Sequence, residues 1–271
     1  MEHIVRATNA RHYVDRLAAS GRYLFALADA REALNVSQAA AKVAMLRLAK
    51  QGMVASPARG FYVVVPPEYR SLGCLPADQF IPVLMGALGL SYYAGLLTAA
   101  QYHGAAHQRP QAFQVLLERP RLPIVCGKVR VVFVTRKRLS EVPVQRLNTP
   151  RGWLLASTPE ATAVDLVGYP HRAGGLDNVA TVLSELAGTL DPKKLAAAAA
   201  TAPIPWAQRL GYLLDLVGAS EKTAALKEHV REQAHESAAL LVNAPPGSGG
   251  RSIPRSRDWK ININARVEPE L

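Results

Sequence analysis

The sequence predicts a two-part α+β protein: an N-terminal winged helix-turn-helix domain over residues 1–70 and a larger mixed α/β domain over residues 71–271. Three observations predict it. The first seventy residues read as helix, helix, turn, helix and hairpin. Pro66-Pro67 then breaks the chain, because proline disfavours helix before it and removes backbone donors. Charge is also denser in the first part. It holds ten basic and five acidic residues against 22 and 16 in the second, so it reaches +5 in about a third of the length over which the second reaches +6.

The elements follow in order. Asn9 to Ala19 carries Tyr13, Val14 and Leu17 on one side, with Asn9 as cap. Leu27 to Leu34 is short and ends at Asn35, a residue that tolerates left-handed geometry. Ser37 caps a longer helix that runs to Gln51 and stops at Gly52. Met53–Ser56, the turn Pro57-Ala58-Arg59-Gly60 and the β-rich Phe61–Val65 form a hairpin. In the second part, Phe113–Leu117 and Val129–Val134 read as strands. Helices are expected near 91–102, 158–168, 175–188, 191–200, 203–217 and 221–233. Thr158-Pro159 and Asp191-Pro192 each supply a cap followed by proline at the first helical position. Pro245–Gly250 reads as a loop or flexible linker, and Trp259–Asn264 alternates like a strand. No internal repeat is evident.

The net charge of +11 and a pI of about 9.9 favour an anionic partner, nucleic acid before an anionic membrane. With 49% hydrophobic and 20% charged residues the chain is an ordered globular protein, not a polybasic tail. Two cysteines, Cys74 and Cys126, exclude a disulfide scaffold and a four-cysteine zinc site, which points to a reducing cytoplasm. The N-terminal Met1–Arg6 lacks the apolar run of a signal peptide. From Gln79 to Gln108 no residue is charged. Its strictly apolar pieces are shorter than the roughly 20 residues a membrane span needs, so a buried helix with a break near Gly89 is expected and no membrane partner.

Two helices, a short turn, a third helix and a hairpin suit DNA. A helix fits the major groove and its N-terminal residues reach base edges. At ~100° per residue, Ala41, Ala44, Met45 and Leu48 fall together and face the preceding helices. Gln38, Lys42 and Arg47 lie outside that cluster, with Ser37 at the helix start. Gln38 can pair with adenine, and Lys42 and Arg47 with phosphate or guanine. Lys50 is a phosphate contact or plain surface. Arg59 stands at the wing tip, in reach of the minor groove or of phosphate. Val43 and Leu46 do not divide cleanly between core and groove. The competing reading is a protein-interaction module with a basic solvated face.

At these residues the chain resembles the AbiEi antitoxin family, the antitoxins and autoregulators of type IV (abortive-infection) toxin–antitoxin systems. Arg59-Gly60-Phe61-Tyr62 resembles the family's wing. Ser91-Tyr92-Tyr93-Ala94-Gly95-Leu96 with Gln101-Tyr102-His103-Gly104 is similar to its helix ending in His-Gly. Thr158-Pro159-Glu160-Ala161-Thr162-Ala163-Val164-Asp165-Leu166 resembles its Pro-Glu…Asp-Leu helix. Gly174-Gly175-Leu176 and Gln208-Arg209-Leu210-Gly211-Tyr212-Leu213-Leu214 follow in the same order. The resemblance implies an N-terminal domain that binds inverted repeats in its own promoter, and a C-terminal domain needed for antitoxicity. It also implies a nucleotidyltransferase-like toxin, countered without a stable complex.

Residues 119–151 depart from that pattern. They hold nine basic residues, including Lys128, Arg130, Arg136, Lys137 and Arg138, and one acid, Glu141. They read as a second nucleic-acid patch on DNA or RNA, or as a solvated sheet face. No catalytic residue, cofactor or metal is expected. His103 and His107 have zinc-ligand spacing, but no Glu stands beside them and Gly104 weakens the helix, so a helix-end histidine bonding backbone is favoured. Gly247–Gly250 lacks a Walker lysine. Asp165 followed by Arg172 reads as a buried pair. Two other function classes compete. A nuclease would need gathered acids with a Glu-x-Lys strand, and no Glu-x-Lys occurs. A ligand-sensing repressor would need a formed pocket in the second domain.

Overall fold

The computed structural model describes residues 9–105, 110–242 and 253–270. Helix α1 (Ala10–Ala19) starts where the Asn9 side chain accepts the His12 amide at 2.9 Å. It buries Tyr13, Val14 and Leu17. Strand β1 (Leu24–Ala26) follows, then α2 (Leu27–Leu34). Asn35 adopts φ 53° and ψ 48°, and this left-handed residue turns the chain into Ser37. The Ser37 hydroxyl accepts the Ala40 amide and starts α3 (Gln38–Lys50). Strands β2 (Val54–Ala58) and β3 (Phe61–Val64) close the module, in an antiparallel sheet of order β1-β3-β2. Strand β1 was not expected: three residues are too few to show a period of two.

The core of this module follows from the pattern. Phe25 of β1 meets Tyr13 edge-on at 5.5 Å and stacks on Tyr62 at 5.8 Å. Met45, Leu48 and Val54 fill the rest. Leu48, Met45 and Ala41 are buried, Ala44 is partly buried against the same core, and the opposite side of α3 is open.

The chain forms two compact units. The first comprises the described residues of Met1–Tyr92, Gln111–Thr135 and Arg146–Leu155; the second those of Tyr93–Pro110, Arg136–Gln145 and Ala156–Leu271. The boundary expected at residue 70 is therefore not where the units part. The physical reason lies at Gly127. Its backbone is so close to Leu72 and Gly73 that a Cβ there would stand 2.2 Å from the Leu72 carbonyl oxygen. The Lys128 amide donates to that same oxygen at 2.7 Å. In this unit Phe113–Leu117 pairs parallel with Val129–Thr135, and Ile124–Cys126 pairs antiparallel with it. Helix Ala77–Ala87 completes the unit.

The second unit is mostly helical. Helices span Leu96–Tyr102, Pro159–Gly168, Leu176–Leu186, Pro192–Ala199, Ile204–Leu216 and Ala224–Gln233. Thr158 and Asp191 cap two of them through their side chains, each before a proline. The helix expected at 91–102 begins only at Leu96, because Tyr93–Ala94 is extended and Ala94 pairs with Ala156. The expected C-terminal strand shrinks to Ile261–Asn262 between Ala238–Ala239 and Arg255–Ser256. Pro245–Gly250 and His107 lie outside the described residues. Among the described residues no helix is long and apolar enough to cross a membrane. The uncharged stretch is cut into Ala77–Ala87 and Leu96–Tyr102, with Gly89 at φ +63° between them.

Candidate nucleic-acid interface

The exposed side of α3 gathers most of the residues expected there. Gln38, Lys42, Arg47 and Lys50 are all exposed. None of the three cations forms an ion pair among the described residues. Ser37 is exposed too, but its hydroxyl is engaged in the cap. Of these cations Lys42 lies nearest the positive macrodipole end of the helix, whereas Arg47 and Lys50 stand in its last turn, so the positive charge is spread along the open face.

The hairpin turn is tighter than expected. Ala58 pairs with Phe61, so the loop is only Arg59-Gly60, with Gly60 at φ +82° where a side chain would be strained. Pro57 lies within β2 at a register shift between Ala55 and Ala58. The Ser56 hydroxyl bonds the carbonyls of Ala58 and Phe61, and the Gly60 carbonyl accepts the Leu27 amide at 2.8 Å. These bonds fix the tip to the start of α2 and leave Arg59 exposed.

Two residues that sequence reasoning left undivided belong to the open face. Val43 is 47% and Leu46 58% exposed. The signal was their failure to fit the buried arc of the wheel.

The second basic stretch is not one patch, and Arg136 does not belong to any. Arg136 is 2% exposed and its Nε donates to Asp165 Oδ1 at 2.9 Å. Its guanidinium lies 5.0 Å from the Trp206 ring centroid and bonds the Lys137 and Thr201 carbonyls. The partner expected for Asp165 was Arg172, which is instead exposed in the turn after the helix. Arg138 is exposed and pairs with Glu141. Arg121, Arg146 and Arg151 lie over Phe133, Trp153 and Tyr23, and Arg151 also bonds Gln79 at 2.7 Å. Lys128, Arg130, Lys137 and Arg119 stay exposed without an ion pair among the described residues. Arg119, Lys128 and Arg130 lie in the unit that contains α3, whereas Arg136, Lys137 and Arg138 lie in the other.

The motif residues of the second unit hold its core. The Tyr93 hydroxyl donates to Asp165 Oδ2 at 2.6 Å, joining two of the quoted segments. Burial pushes the Asp165 carboxyl up, against the pull of Arg136 and Tyr93, and pushes the Tyr93 hydroxyl up as well. His103 caps its helix and bonds the Ser157 carbonyl at 2.9 Å, and burial lowers its pKa. The Gln208 amide donates to the carbonyls of Glu236 and Lys260, and Arg209 to that of Ala239. Asn178 donates to Ala173 beside Gly174 and Gly175, both at positive φ.

Cys74 and Cys126 are buried free thiols. Among the described residues no three His, Cys, Asp or Glu side chains gather as a metal site. A hollow of about 540 Å³ in the second unit is lined by Tyr212, Leu216, Ile253, Ile263 and Arg266 and is open to solvent.

Residues 93–216 match the family described as the AbiEi antitoxin C-terminal domain. The fold is similar to that of the crystal structure of the RV2827C protein from Mycobacterium tuberculosis, with a TM-score of 0.64 at 18% identity over 93% of this chain and 90% of that one. No curated protein matches the chain.

Proposed function

We propose, because residues 93–216 match the AbiEi antitoxin C-terminal domain, that the chain is the antitoxin of a type IV toxin–antitoxin pair and the repressor of its own promoter. The N-terminal module acts as a winged helix-turn-helix on double-stranded DNA, at inverted repeats. Its functional partner is a nucleotidyltransferase-like toxin, countered in the cytoplasm without a stable complex and without catalysis by this chain. The observation that supports the DNA reading is the open face of α3, along which Lys42, Arg47 and Lys50 stand exposed. Cations with no carboxylate partner among the described residues are available to neutralise phosphate. Arg59 in the two-residue loop and Arg119, Lys128 and Arg130 of the same unit extend the phosphate contacts.

A mobility-shift titration with duplex from the protein's own upstream region tests this. Lys42→Ala and Arg47→Ala bind more weakly while their melting curves stay unchanged. Wild-type affinity in both variants removes α3 from the DNA. Growth rescue on co-expression with a nucleotidyltransferase-like toxin tests the antitoxin half.

A further inference from the structure

The open face of α3 is not uniformly charged. Ala39, Val43 and Leu46 stand at i, i+4 and i+7, so at ~100° per residue they form one ridge along the helix. All three are exposed, Val43 at 47% and Leu46 at 58%. Lys42 lies on one side of this ridge and Arg47 on the other. Exposed single apolar side chains are ordinary, but an apolar ridge bracketed by two cations that have no ion-pair partner among the described residues is not a plain solvated surface. The cations rule against an apolar protein partner as its cover, since each would be desolvated without a carboxylate. They fit an occupant that is anionic at its edges and apolar at its centre. The major groove is such a surface: phosphates line both rims, and thymine places its C5-methyl group on the floor. The ridge spans about 10 Å, close to three base-pair steps of ~3.4 Å.

We infer that Val43 and Leu46 are specificity-determining residues that read thymine methyl groups, so that each operator half-site carries thymines where this ridge lies. The inference rests on the DNA-binding reading of α3. It assigns the cations to positioning and the apolar ridge to sequence choice, since phosphate contacts fix register and base contacts specify.

The test uses the full-length protein and the duplex it selects from a randomised library. That duplex is then made with deoxyuridine in place of thymidine, which removes the C5-methyl and leaves every Watson–Crick hydrogen bond. Wild-type binding weakens about fourfold for each contacted methyl. The Val43→Ala/Leu46→Ala variant loses this difference between the two duplexes. Alanine is a strong helix former at an exposed site, so the fold is kept, and circular dichroism melts check it. Selective wild-type binding that is indifferent to the methyl, or a variant that keeps the wild-type ratio, overturns the inference while leaving the DNA reading in place. No selected sequence at all overturns the DNA reading and the inference with it. Self-association that depends on Leu46, with an unchanged ratio, gives the ridge to a second copy and also overturns it.

Discussion

Arg136 and Asp165, 29 residues apart in sequence, form an ion pair at 2.9 Å in which the two side chains are 2% and 0% exposed. A buried pair loses most when it is broken, because the partner left behind is an uncompensated charge. Arg136→Ala is expected to cost about 3–5 kcal/mol of stability. Replacing both members by apolar residues of similar volume, Arg136→Met with Asp165→Leu, recovers most of that loss. Urea unfolding of the three proteins measures it; equal loss in the single and double variants contradicts the account.

His103 gives the second unit an acid-sensitive point. Its Nε2 faces a carbonyl, so the neutral ring carries its proton there and donates to Ser157. Burial holds its pKa below the ordinary 6.5. The folded state therefore binds the proton less readily than the unfolded one. Its contribution is fully present above 6.5 and is lost as pH falls through the folded value. Tm should fall between about pH 7 and about pH 5, and less in His103→Gln, whose amide also donates. Parallel Tm profiles of the two proteins contradict this.

Gly211 and Trp259 are in van der Waals contact that leaves no room for a methyl group. A Cβ on Gly211 would stand 2.1 Å from the indole Cζ3, and the indole N–H is anchored to Asp215 at 2.6 Å. Gly211→Ala is expected to destabilise by about 1–3 kcal/mol through overpacking. A compensating Trp259→Leu relieves the clash. A double variant no more stable than predicted from the two single changes added together shows that the two sites do not couple.

Salt dependence separates the basic residues. Each phosphate contact contributes a slope of about −0.9 to log K against log salt. Lys42→Ala and Arg47→Ala are each expected to flatten that slope by about one unit, and the Lys128→Ala/Arg130→Ala pair by about two. Arg138→Ala should leave it unchanged, since its charge is matched by Glu141. Filter binding across a range of salt gives the slopes, and an unchanged slope in the Lys128/Arg130 variant removes that hairpin from the footprint.

The sequence made legible whatever was set locally. The caps at Asn9, Ser37, Thr158 and Asp191 mark helix starts because the signal is a side chain within three residues of the amide it serves. Asn35 marked a helix end because asparagine tolerates the left-handed backbone found there. What stayed hidden depends on partners distant in the chain. Arg136 reads as one more cation in a basic run until Asp165 meets it. Strand β1 exists because Val63 and Tyr62 lie beside it, not because of its own three residues. The division of the chain was also hidden, because Pro66-Pro67 follows the end of β3 without ending a unit. On α3 the sequence identified the cations, whereas Val43 and Leu46 needed the packing of the fold to be assigned to the open face.

The first unit is assembled from three stretches of chain, the last of them Arg146–Leu155. A ribosome making this protein has produced all of α3 long before it has produced the strand residues that complete the surrounding unit. The helix proposed to read DNA therefore waits, during synthesis, for more than half of the polypeptide. A product released early carries the cations and the apolar ridge of α3 without the finished unit around them. The unit around α3 is completed only at Leu155, just past the middle of the chain, although the core directly beneath the helix is already supplied by Tyr13 to Val64.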